Sequence, residues 1–159
     1  MGDRKALVVY YSRTGTTKQV AEAIADGLGA ELEEIVDTKS RKGMLGFVAG
    51  GKDARLNKPT EIQDVRSDPS AYNLVVIGTP VWASSVTPAI RTYMTRCKDA
   101  LPGVAFFLTT GGTGIDRTFE QMAELCGKQP ITRLALRTKE VRKGQASDKV
   151  EAFVRELGG

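Results

Sequence analysis

Six consecutive residues, Ser12-Arg13-Thr14-Gly15-Thr16-Thr17, bring together four hydroxyls, a guanidinium and a glycine. They stand where an apolar run ends and an amphipathic helical pattern begins. The first N–H groups of a helix lack intrahelical partners, and the dipole is positive there, so the position suits an anion. Ser and Thr hydroxyls donate to phosphate oxygens, and Gly15 lets the backbone turn closely around such a group. The same residue types also cap helices, but a cap needs one hydroxyl. Four hydroxyls plus Arg13 favour a phosphate cradle.

The chain contains no histidine, which excludes a Ser–His–Asp triad, a Cys–His pair and an imidazole zinc site. Catalysis would lean on a cofactor, or on Tyr, Lys or carboxylates. The two cysteines, Cys97 and Cys126, form neither a disulfide framework nor a metal-ligand spacing and read as small buried hydrophobes. Six residues stand between Cys126 and Arg133, one more than the Cys-x5-Arg spacing of a phosphatase loop. Gly46-Phe-Val-Ala-Gly-Gly-Lys52-Asp53 nearly matches a P-loop, but it ends in Asp where a hydroxyl is needed. No buried strand precedes it, so the match is fortuitous.

The elements that position the first loop repeat along the chain. Leu7 to Tyr11 is an apolar, β-branched and aromatic run, as in a parallel strand buried on both faces. The spacing of Val20, Ile24 and Leu28 predicts a helix over 16–28, and residues 30–36 alternate as an edge strand does. Segment 37–70 is irregular. Its glycines weaken the apolar face of Met44, Leu45, Phe47 and Val48, so it reads as one or two short helices and a turn at Asn57-Lys58-Pro59. Apolar strands follow at 74–77 and 104–108, and a weaker one at 133–136. Helices follow Thr87-Pro88, carry Phe119, Met122 and Cys126, and run from Ser147 to Leu157. Two of the strands end in polar glycine loops, Gly78-Thr79-Pro80-Val81-Trp82-Ala83-Ser84-Ser85 and Thr109-Thr110-Gly111-Gly112-Thr113-Gly114.

Strand alternating with helix over one domain, 1–159, predicts a three-layer, doubly wound α/β sheet of five parallel strands with right-handed crossovers. Such sheets bind ligands beyond the carboxyl ends of their strands, where the winding reverses, so the three loops should converge on one site. The net charge of +4 is local, because residues 37–58 hold six cations against two carboxylates. With little aromatic interleaving, that segment is a solvated face or a dock for an acidic partner or phosphorylated ligand, and not a nucleic-acid surface. No stretch reaches membrane-spanning length, and the cysteine usage fits a reducing cytoplasm.

In these three loops the chain resembles the flavodoxin family. Ser12 to Thr17 matches that family's Ser/Thr-x-Thr-Gly-x-Thr phosphate loop, directly after the first strand. Thr79-Pro80-Val81-Trp82 stands where members present an aromatic to the flavin ring, and Thr109 to Gly114 stands at the third flavin loop. The resemblance implies strand order 2-1-3-4-5 and non-covalent FMN. It also implies that Ala83, Ser84 and the backbone of 79–84 and 110–114 contact the ring. The sequence departs from the family's carriers in being basic, in lacking an aromatic in the third loop, and in placing Ala83 after Trp82. The resemblance implies electron transfer through FMN with a redox partner protein, which the cations of 37–58 would suit if it is acidic. The alternative is an NAD(P)H-dependent FMN quinone reductase acting on a small acceptor, for which one uncovered ring face would suit hydride exchange. A receiver-type signalling module would need an aspartate at the end of the third strand, where Gly78-Thr79 stands. A cofactor-free interaction domain would be expected to have lost the phosphate loop, which is intact.

Overall fold

A computed structural model describes residues 5–38, 43–55 and 58–159, without the side chains of 43–47. The first strand, β1 (Ala6–Tyr10), is buried at every position. Its alternate residues enter two separate cores. Leu7, Val9 and Tyr11 face one layer, while Ala6, Val8 and Tyr10 face the other. The helix α1 (Thr16–Leu28) covers the second face with Val20, Ala21 and Ile24, followed by the edge strand β2 (Glu31–Glu34). Full burial of each Leu or Ile in such a layer is worth about 1.5–3 kcal/mol. A polar replacement in β1 would therefore destabilise one of the two cores directly.

The helix α2 (Gly43–Arg55) is one continuous element of 13 residues, longer than the glycine content of the segment suggests. At least one glycine has a packing reason: a Cβ on Gly50 would lie 2.5 Å from the Trp82 ring. The P-loop-like stretch 46–53 is thus helical, and no anion loop forms there. Val48 is 60% exposed. The cations Lys39, Arg41 and Lys42, and Asn57 of the turn expected at Asn57-Lys58-Pro59, lie outside the described residues.

The strand β3 (Leu74–Trp82) runs five residues beyond the apolar stretch that announced it. It returns through a two-residue antiparallel strand, β4 (Ser85–Val86), with Val81 opposite Val86 and Trp82 opposite Ser85. Next come α3 (Pro88–Cys97), β5 (Gly103–Thr110) and α4 (Ile115–Cys126). The edge strand β6 (Arg133–Arg137) leads straight into a short helix, α5 (Thr138–Arg142), and then α6 (Ser147–Glu156). The parallel sheet runs β2-β1-β3-β5-β6, the expected 2-1-3-4-5 once the two-residue β4 is set aside. Ile90, Met94, Phe119 and Met122 from α3 and α4 close one face, and Phe153 and Val154 of α6 join α1 on the other. The winding reverses between β1 and β3, so the ligand crevice belongs above those strands.

Candidate functional site

The β1–α1 loop turns into its helix on a glycine. Gly15 holds the N-cap position in the left-handed region (φ 98°), and no side chain caps the helix. The Ser12 hydroxyl instead accepts from the Gly15 N–H at 3.0 Å, which curls the loop onto itself. The helix geometry leaves the N–H groups that follow Gly15 without intrahelical acceptors. Thr17 is committed inward, where its hydroxyl shares a buried 2.8 Å hydrogen bond with that of Thr109 on β5. That bond fastens the first loop to the third.

Ser12, Arg13, Thr14, Thr16 and Thr17 line a cavity of about 200 Å³ together with Pro80, Val81 and Trp82 from β3 and Thr109, Thr110 and Gly111 from β5. All three loops thus reach one site above the carboxyl ends of neighbouring strands. Two further residues complete the wall, Thr138 and Arg142 of α5. None of the lining residues is a carboxylate, and two are guanidinium cations. The donor set is that of an anion site at one end, with an apolar flank of Pro80, Val81 and Trp82 at the other.

The remaining loop residues stand behind this wall. Thr79 is fully buried, its hydroxyl donating to the Pro80 carbonyl at 2.8 Å and lying 3.0 Å from the Thr87 hydroxyl. Ala83 and Ser84 are the hairpin turn, both with positive φ, at 49° and 59°. Gln121 of α4 steadies the return strand, its side-chain carbonyl accepting from the Val86 N–H at 2.9 Å. Gly114 lies beneath the turn, where a Cβ would come 2.5 Å from Ser84 Cα. Gly112 and Thr113 are held by Thr110, whose hydroxyl accepts from the Gly112 N–H at 3.1 Å and donates to the Thr113 carbonyl at 2.8 Å. Trp82 is half-buried. Its ring meets Tyr11 edge-on, with centroids 5.5 Å apart and planes at 82°, while its flank rests near Gly50. It is therefore at once the rim of the core and a wall of the cavity.

Burial holds several phenols and thiols of the fold neutral. Burial, aided by Glu34 and Glu22, pushes the Tyr10 phenol up to about 12. Burial likewise raises both Cys97 and Cys126, so the thiols stay protonated and unreactive. Among the described residues no cluster of His, Cys, Asp or Glu could hold a metal, and no helix is long and apolar enough to cross a membrane.

Sequence reasoning missed Thr138 and Arg142. A five-residue helix shows no periodicity, and Val141 alone is buried in it. The available signal was Glu140, whose carboxylate accepts from the Arg137 N–H three residues back at 2.9 Å, a helix-start arrangement.

A family model described as flavodoxin matches residues 5–156. A flavoprotein from Lactobacillus acidophilus NCFM, solved in complex with FMN, is similar with a TM-score of 0.74 and 29% identity, over 88% of this chain and 97% of that one. A flavoprotein from Bacteroides uniformis is similar with a TM-score of 0.76 and 19% identity, over 97% and 99%. Megasphaera elsdenii flavodoxin, in its two-electron reduced form, is similar with a TM-score of 0.60 and 16% identity, over 94% and 98%. None of the curated proteins matches the sequence.

Proposed function

The chain belongs to the flavodoxin family, and from that premise we propose that it transfers electrons through non-covalently bound FMN. The observation that carries this reading is the single carboxylate-free cavity on which all three strand-end loops converge. A glycine-capped helix start, hydroxyls and two guanidiniums suit a phosphate, and Pro80, Val81 and Trp82 suit a flat aromatic ring. FMN supplies the electron exchange when bound. Ser12 to Thr17 would hold its phosphate, with Gly15 letting the loop close around it. Trp82 and Val81 would hold the ring end, and the backbone of 79–84 and 110–114 would offer the N–H and C=O groups that tune it.

The partner in this reading is an acidic redox protein. Lys52 and Arg55 are exposed at the end of α2, the helix whose Gly50 lies against Trp82. Cations beside the ring-end wall would steer a negatively charged donor or acceptor. The second reading is an NAD(P)H-dependent quinone reductase. It is favoured by the small residues of the third loop, where Gly111 at the cavity and Gly112 beside it present no side chain to cover the ring. The α2 cations would then meet the phosphates of the nicotinamide nucleotide.

The first measurement is the visible spectrum of the purified protein, with identification of the flavin released on heating. A colourless protein that takes up no added FMN sinks both readings. The second is steady-state NADH or NADPH oxidation with a quinone. Turnover by the pure protein selects the reductase, and silence there with reduction by a partner reductase selects the carrier.

A further inference from the structure

We propose that Arg142, on the face of α5 that Thr138 fastens to the third loop, is a second arm of the phosphate grip and sets a preference for phosphorylated over unphosphorylated flavin. The inference rests on the FMN reading above and assigns a role to an element outside the three loops. Thr138 and Arg142 are four residues apart on α5, so they share one face of it. Both line the same cavity as Ser12, Thr14 and Thr16.

Several contacts fix where α5 stands. Val141 is 3% exposed and packs into the α1–α6 core. The Thr138 hydroxyl donates to the Thr110 carbonyl at 3.3 Å, joining α5 to the third loop. Glu140 accepts from the Arg137 N–H and from Lys149 of α6, the latter at 2.8 Å. The helix ends in a tight reversal, with the Gly144 N–H bonding the Val141 carbonyl and the Gln145 N–H that of Glu140. So anchored a helix fixes the backbone from which the Arg142 guanidinium reaches. Its planar fork matches two phosphate oxygens, and the site supplies no competing carboxylate.

The test is titration of the apoprotein with FMN and with riboflavin, followed by quenching of flavin fluorescence at two salt concentrations. The wild type should prefer FMN, with the preference falling as salt rises. Arg142→Ala should weaken FMN by about tenfold, on the scale of one charge-assisted hydrogen bond. It should leave riboflavin within about twofold and flatten the salt dependence. Arg142→Lys should recover part of the loss, which a purely structural role would not produce. Equal weakening of both flavins, or unchanged FMN binding in Arg142→Ala with native circular dichroism, overturns the proposal while the FMN reading stands. A wild type that binds neither flavin overturns both.

Discussion

At the end of the site proposed for the phosphate the chain turns on Gly15, at φ 98°, with open space where a Cβ would stand. At the ring end it turns on Ala83 and Ser84, both left-handed and neither a glycine, with Gly114 pressed beneath them. A two-residue hairpin with two positive φ values normally takes Asn-Gly, because a Cβ in that region costs roughly 1–2 kcal/mol per residue. The first turn is therefore unstrained and set by its own residues. The second is strained and held from outside, by Gln121 on the return strand and by the close approach of Gly114. In the proposed site the turn at Gly15 is shaped by local chemistry, whereas the ring wall depends on tertiary packing.

That contrast is sharpest when the same substitution is made at both glycines that open helices. Gly114→Ala places a methyl 2.5 Å from Ser84 Cα at a position with φ 79°. Backbone strain and overlap with main chain should together cost about 2–4 kcal/mol, read as a lower urea midpoint, and flavin binding should suffer with the displaced hairpin. Gly15→Ala meets nothing within 4 Å, so only the left-handed backbone is penalised, by roughly 1–2 kcal/mol. Equal losses at the two sites would remove the distinction between a packed turn and an open one. In the opposite direction, Ser84→Gly should relieve strain and raise stability by up to about 1 kcal/mol, the gain being limited by the freer unfolded chain. A loss there would mean that the turn is not strained.

The comparison also explains what the sequence could reveal. Ser12 to Thr17 was legible because strand, loop and helix follow one another directly; β1, β3 and β5 were legible as apolar runs, β2 from its alternation and β6 as a weaker run. The hairpin was not, since Ala83-Ser84 carries no turn chemistry of its own, and the contacts that impose it come from residues 114 and 121. The continuity of α2 was hidden because Gly50 weakens a helix locally and earns its place only against Trp82. The short helix α5 was hidden by its length, although it brings Thr138 and Arg142 to the cavity.

The smallest expected effect probes whether the phosphate end also has a tertiary component. The ion pair with Lys149, together with the Arg137 N–H, holds the Glu140 carboxyl below its usual range. A carboxyl lowered in the folded state contributes stability above the usual glutamate value near 4.5, and that contribution disappears as pH falls through the folded value. Lys149 is 57% exposed, so solvent screening limits the pair to a few tenths of a kcal/mol. Glu140→Gln keeps an acceptor for the Arg137 N–H but gives up the charge. It should lower stability by that small amount at pH 7 and by less at pH 3, in parallel urea titrations of variant and wild type. FMN binding at pH 7 should weaken by less than about threefold, on that same scale, with riboflavin unaffected. The ion pair would then act on the ligand only through the placement of α5. A difference that persists undiminished at pH 3 would show that Glu140 supports α5 by packing rather than by charge, and that this support is as local as that of the Gly15 turn.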